Sequence, residues 1–585
     1  MPQPNPSSMT PAAGSPPGLA WYRWFVIDSA PLTLAFWGAV ALVALAFLLC
    51  PYPPMIDYPQ HVAMGAVLHR LFDPASPAHQ TFRTYLFTYN AGIETLIALL
   101  AYLVRPELAG RIVLAAYAVL FGASALALCD VSRRPRWYAL LALPLTYNFI
   151  TGWGFGNFIL ALPLSVLAIA FWLRILDGSR SRLYLALTTV LSMMVAYTHV
   201  LAMLCVCVTV AVESLVLLFQ RDDEHGKPLL ARVRALVVPA LVLVPSVAWS
   251  LGAWWWARKT STTVWEHEWA EGQDDPLWQK LWHLLYNAAG NFADGSEQRL
   301  LVVGVVIAAA LWLGSEGAPA DRRMKRLGIT FFGLYLLIPK VFIATFHIYP
   351  RFLPYAALFA VAAIPVARGK WTRLAAAAAS VLALGSGANV LYRFLTIPEM
   401  ADAMAIIDDA PPGRRLATVM FDPTPPTLSR EIWVHLPALY QVRRDGIIAY
   451  SFMRNESVPV HYLPGKEPAR PPGGFEWDGR LYDITQPYAR DYDLILVRSW
   501  IDQDTGQTAD PASYVFKDYA PYAKLLSRRG RFFLYDASDV NQVISAWQEQ
   551  NSDDTIDDKG DGEPGDGKAR DQDDDEAGDE KPGKP

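Results

Sequence analysis

Cysteine is scarce: only Cys50, Cys129, Cys205 and Cys207 occur in 585 residues, all in or at the ends of apolar runs. That excludes a disulfide framework, and no spacing suits a structural zinc site. Glycine-rich phosphate cradles are also missing from the stretch of short apolar runs between Thr396 and about Val540, which contains neither GxGxxG nor a P-loop motif, so no nucleotide site is expected there. A pronounced charge of one sign is lacking too, at a net −5 overall, and no nucleic-acid partner is expected. Neither an inverted internal repeat nor a pair of broken hydrophobic segments stands out, which argues against a transporter.

What the chain has is long apolar runs. Hydrophobic residues make up 53%, a modest excess over soluble proteins, but their placement decides the class. Runs of about 20 residues, enough to cross about 30 Å of hydrocarbon as helix, recur from Pro31 to Leu395 and then stop. Stretches such as ALVALAFLLC (Ala41–Cys50) are apolar on every face, unlike a soluble helix with its polar stripe. Helices are favoured because lipid offers no partner to an unpaired backbone N–H or C=O.

Charge gives an orientation. The basic clusters are Arg23; Arg133, Arg134 and Arg136; Arg174, Arg180 and Arg182; Arg221 to Arg234; Arg322, Arg323, Lys325 and Arg326; and Arg368, Lys370 and Arg373. Short basic loops stay cytoplasmic, and pairs of apolar runs separate nearly all of these clusters. The sequence therefore predicts an α-helical polytopic membrane protein with about 11 transmembrane helices, at 32–50, 108–129, 137–152, 156–174, 183–199, 200–219, 235–256, 299–314, 327–346, 352–367 and 374–394. An odd count places the C-terminal domain outside. Residues 85–104 could also span, but that would move the Arg133–Arg136 cluster outside. They are read as an interfacial or re-entrant helix in the first external loop, beside an amphipathic piece at 61–71.

The expected domains are a disordered cytoplasmic N-terminus (1–30), a membrane domain (31–395) with external loops 51–107 and 257–298, an extracytoplasmic α/β domain (396–545) and a disordered acidic tail (546–585). The first apolar run lacks a small-x-small exit and reads as a retained anchor. Residues 414–421, 445–452, 491–498 and 530–537 read as strands, and 399–409, 431–443 and 519–529 as helices. The tail from Asn551 carries fourteen acids and five bases, too polar to fold. Heavy use of Ala, Arg and Pro, with an external domain, suggests a bacterial inner membrane.

Several residues could carry chemistry. Asp57, in PYPPMIDYPQHVAMG, falls at the external mouth of the first span. There a carboxylate either takes a proton from a substrate hydroxyl or caps a helix. His61 follows one turn later; the two could share a divalent metal, but two ligands do not make a site and none is predicted. Glu94 is either a second acid or an interfacial side chain, and His199 in AYTHVLA lines the same cavity or sits in the core. Lys340 falls within the predicted span 327–346, where burial costs about 2.5–3.5 kcal/mol unless a counter-charge or cavity receives it. With His347 and Arg351 it could clamp an anionic head; alternatively it snorkels and Arg351 anchors to headgroups. The aromatic and acidic WEHEW (Trp265–Trp269) suits sugar stacking or interfacial anchoring.

The order of these features, an external Asp just after the first span and HIYPRFLPY (His347–Tyr355) late in the chain, resembles the GT-C superfamily of membrane glycosyltransferases. It is similar in plan to protein O-mannosyltransferases and to the aminoarabinose transferases of lipid A. The resemblance implies that Asp57 is the catalytic base and that Arg351 faces the phosphate of a lipid donor. Tyr58 stands where the family often has a second acid. The activity implied is inverting transfer of a sugar from a polyprenyl phosphate to a lipid, glycan or protein, without a cofactor. The rival reading is a non-catalytic scaffold or export component whose external domain binds a partner. The two differ in whether Asp57, Lys340 and Arg351 share one cavity.

Overall fold

The computed structural model describes residues 26–219, 228–260, 275–315, 320–341, 346–367, 369–455 and 457–554. WEHEW, the first 25 residues and most of the acidic tail lie outside them. The chain is a multi-pass helical membrane protein with a C-terminal α/β domain. Among the described residues, six helices are long and apolar enough to cross a membrane: α1 (Ala30–Leu49), α4 (Pro106–Val131), α6 (Gly156–Leu176), α8 (Val200–Phe219), α13 (Ser296–Leu313) and α16, from Lys370 to Leu395. A bent pair, α9 (Leu229–Leu241) and α10 (Val244–Thr260), makes a seventh if counted as one span; its axes differ by 61°.

The other expected spans are shorter or broken. Residues 137–152 form no continuous helix. A 3₁₀ stretch, Arg136–Leu145, is followed by α5 (Phe149–Trp153), because Pro144 withholds an N–H and Asn148 caps a new start by accepting from the amides of Ile150 and Thr151. α7 is Arg182–Thr198, α14 is Arg322–Leu337, and α15 is Leu353–Ala363. The end of α14 corrects one expectation. Lys340 is not inside a span, because Pro339 drives Ile338 into extended backbone and stops the helix at Leu337. In the first loop, α2 (Tyr58–Leu71) and the nine-residue α3 (Gly92–Leu100) are too short to cross, so 85–104 holds no spanning helix.

The helix ends gather into two sets. At one end, Asp28 accepts from the Trp137 amide, Arg136 pairs with Asp130, Tyr138 donates to the Pro365 carbonyl, and Arg323 pairs with Asp177. Arg133, Arg134, Arg322 and Arg323 line one cavity there. Asp57, Trp153, His199, His347 and the C-terminal domain stand at the other end. Among the described residues, Arg133, Arg134, Arg136, Arg322 and Arg323 thus share one end of the helices.

The C-terminal domain follows α16. Its sheet has the order β3-β2-β5-β7-β6, where β2 is Arg415–Met420, β3 Ile447–Ile448, β5 Leu494–Arg498, β6 Lys524–Arg529 and β7 Phe532–Asp536. β2 pairs parallel with β3 and β5, and β7 pairs antiparallel with β5 and β6. Buried Leu416, Leu494 and Leu534 pack toward the membrane domain, whereas Val419, Ile495 and Phe533 close a second core on the opposite face. One helical expectation is overturned: 519–529 is a 3₁₀ turn followed by β6, an edge strand folded onto β7 around Gly530, whose φ is +51°. The helix expected over 431–443 is confined to Ala438–Arg444. The last helix, Ser538–Asp554, runs past the expected domain end at 545.

The first loop and this domain are stitched together. β1 (Phe82–Thr84) pairs antiparallel with β4 (Val460–Tyr462) across nearly 400 residues of sequence. Gln60 exchanges hydrogen bonds with Tyr450 and Phe452, the Tyr52 hydroxyl donates to the Ile432 carbonyl at 2.6 Å, and Arg70 pairs with Asp445.

Candidate active site

Asp57 stands at the start of α2, and its backbone is fixed by the end of α5. The amides of Ile56 and Asp57 donate to the carbonyls of Gly152 and Trp153 at 3.1 and 3.0 Å. The approach is so close that a Cβ on Gly154, at φ +80°, would lie 2.7 Å from the Asp57 nitrogen. Asp57 occupies the N-cap position, yet its side chain makes no capping hydrogen bond. The carboxylate is therefore not consumed in holding the helix, as the capping reading required. It lies 3.2 Å from the His435 ring and within electrostatic reach of Arg351.

Arg351, in the 3₁₀ turn Tyr349–Phe352, is almost wholly buried. Its guanidinium lies 4.1 Å above the Phe155 ring and 5.4 Å from Phe158. Nε and Nη2 donate to the carbonyls of His347 and Phe346, and Nη1 meets His199 Nε2 at 3.2 Å. His199 Nδ1 also faces the Leu201 amide, at 3.1 Å, so a neutral ring, with one acceptor nitrogen, takes a hydrogen bond from Leu201 or from Arg351 but not from both. A guanidinium has five N–H bonds; three are engaged, leaving two for a ligand.

His347 stacks on Trp153 with centroids 4.2 Å apart. Burial first, and then the charges of Lys340, Arg430 and Arg351, push its imidazole down to about 3. Three cations thus converge on one neutral ring. Lys340 is partly matched, 3.9 Å from Asp275, which also accepts from the Tyr349 hydroxyl at 2.6 Å. Arg430 forms no ion pair with any described carboxylate. Its guanidinium sits in an aromatic cage, 4.1 Å from Phe149 and 5.0 Å from Tyr286, with Nη2 lacking a hydrogen-bond partner. Aromatic faces return about 2 kcal/mol to a desolvated cation, less than burial costs it, so an anion would complete the pocket.

His61 and Glu94 lie beside this pocket but are otherwise engaged. His61 Nδ1 donates to Glu94 at 2.5 Å, Nε2 accepts from the Gly156 amide at 3.2 Å, and Glu94 also takes both oxygens to the Asn157 amide group. With both ring nitrogens occupied, His61 cannot also bind a metal shared with Asp57. Among the described residues no group of three or more His, Cys, Asp or Glu could hold a metal ion. Tyr58 points away, its hydroxyl 3.4 Å from the Glu107 carbonyl.

Sequence reasoning named Asp57, Lys340, His347, Arg351 and His199; in the structure Asp57 and His199 lie near Arg351, and Lys340 and Arg351 act on His347. It missed Trp153, Arg430, His435 and Trp477. Arg430 and His435 lie in SREIWVH, where the sequence reading began a helix at 431 and no motif marks either residue. Trp477 packs 6.0 Å from Trp153 and 6.2 Å from His435, so the C-terminal domain forms one wall.

No protein-family model matches the chain, and no curated protein matches it. Two solved structures are similar in architecture. ArnT from Cupriavidus metallidurans bound to undecaprenyl phosphate superposes with a TM-score of 0.49 at 12% identity, covering 85% of this chain and 97% of that one. The same protein in the apo state gives 0.47 at 12% identity, over 86% and 98%. A likeness of that size carries no argument about chemistry.

Proposed function

We propose that the protein is a GT-C-like glycosyltransferase that moves a sugar from a polyprenyl-phosphate donor to a hydroxyl of a lipid, glycan or protein acceptor, at the external face of a bacterial inner membrane. One observation carries the reading. A carboxylate that caps no helix, Asp57, lies within electrostatic reach of Arg351, which with the aromatic-caged Arg430 acts on the neighbouring His347. A scaffold has no need of a desolvated, unmatched guanidinium beside a poised base, since each costs folding free energy.

The chemistry follows from charge. Asp57 takes the proton of the acceptor hydroxyl as it attacks the anomeric carbon. The bond from that carbon to the phosphate oxygen breaks, and negative charge accumulates on the departing lipid phosphate. Arg351, with two free N–H donors, and Arg430 bind that charge where water is excluded, so their stabilisation is largest in the transition state. Lys340, tied to Asp275, contributes to the field from a greater distance. Trp153 and Trp477 offer flat faces to a sugar ring.

The test is transfer in vitro from a panel of polyprenyl-phosphate sugars, using purified full-length chain in nanodiscs. Transfer by the native chain and none by Asp57→Asn, at equal expression and thermal stability, is expected. An active Asn variant would remove Asp57 as the base.

A further inference from the structure

His435 is an oddity of this site. Its ring is buried to within 2% exposure, yet neither nitrogen closes a hydrogen bond. The ring is held by packing instead. It lies parallel to Tyr450 at 5.0 Å with planes 9° apart, and meets Phe452 edge-on at 5.4 Å. Its backbone is equally constrained, because the Ala438 amide donates to its carbonyl and the Ile432 carbonyl is tied to Tyr52 of the first loop. A buried imidazole with two orphan nitrogens costs the fold stability. The Asp57 carboxylate lies 3.2 Å from Nδ1, in range but without closing a hydrogen bond. Hydrogen bonds of catalytic groups are often loose before substrate binds and tighten in the reacting complex.

We propose that His435, delivered by the C-terminal domain, is a positioning residue for Asp57: its Nδ1–H holds one carboxylate oxygen so that the other faces the acceptor hydroxyl. This rests on the transfer reading above and adds what the sequence motifs do not contain, a second residue for the base from a domain more than 370 positions away. It also assigns the domain a part in the chemistry itself. The other titratable or charged groups facing His435 are the Tyr450 phenol and Glu476, with Arg470 and Arg454 acting on Tyr450 behind them. None of these hydrogen-bonds to the ring, so Asp57 is its natural partner.

Two measurements on the full chain in nanodiscs test this. The first needs no activity: a double-mutant cycle of Asp57→Asn and His435→Leu on thermal midpoints, where a clear non-additive term is expected and simple additivity would overturn the contact. The second is the kinetics of transfer. His435→Leu should lower kcat about 100-fold with little change in donor KM. His435→Asn, whose amide N–H falls near the position of Nδ1, should recover much of the lost rate. A Leu variant with the native kcat would refute the positioning role. A coupled pair in a chain that transfers no sugar would instead sink the function reading, and with it any role for the pair in catalysis.

Discussion

Replacing Arg351 by Lys keeps the charge and removes the fork. Of the five guanidinium N–H bonds, three hold His347, Phe346 and His199, and the remaining two are free to meet a phosphate. Hydrogen bonds to charged groups are each worth about 1.5–3 kcal/mol. Two of them therefore represent about 3–6 kcal/mol, of which an ammonium point charge in the same place recovers about half. The expected net loss is about 1.5–3 kcal/mol, or roughly 10- to 150-fold in the dissociation constant for a polyprenyl phosphate. Arg351→Met, which also removes the charge, should lose more. The assay is direct binding of the lipid phosphate to protein in nanodiscs, with thermal midpoints measured alongside because the three engaged bonds also brace the 346–351 turn. Binding by the Lys variant within threefold of native, at an unchanged midpoint, would show that Arg351 does not contact the phosphate and that the donor head lies elsewhere.

Other consequences can be measured in the same system. Gly154→Ala puts a Cβ 2.7 Å from the Asp57 amide at a φ of +80°, so backbone must shift; transfer should fall at least tenfold even where the protein still folds, and native activity would contradict the proposed pinning of Asp57. Glu94→Gln discharges the buried network that joins His61 to Asn157, and should cost about 1–3 kcal/mol of stability with lipid-phosphate affinity retained. His347 is neutral in the folded chain, held down to about 3 by burial and three cations. Its contribution to stability is therefore full above the ordinary imidazole range near pH 6.5 and is lost as pH falls from there toward about 3; His347→Gln should flatten that part of the stability curve.

Much of the membrane domain was legible because a bilayer imposes a blunt code: apolar length and the sign of loop charge placed α1, α4, α6, α8, α13 and α16 within a few residues. The signal weakened where proline broke the pattern. Pro144 turned one expected span into 3₁₀ and α pieces, and Pro339 released Lys340 from its helix. In the C-terminal domain the buried strands β2, β5 and β7 announced themselves as apolar runs, whereas the edge strand β6, KLLSRR, has a mixed face that a helical spacing also fits. For the site, Asp57 was visible from its place after the first apolar run, and Arg351 through the resemblance of HIYPRFLPY to the GT-C segment. Arg430 and His435 were not, because their roles come from burial against residues hundreds of positions away.

The β1–β4 ladder ties residues near position 83 to residues near position 461. A ribosome must therefore emit most of the chain before Asp57 meets His435 and the second wall of its surroundings. Until then a nascent chain carries the acid without these neighbours. Premature stops anywhere before that point should yield helices that transfer no sugar.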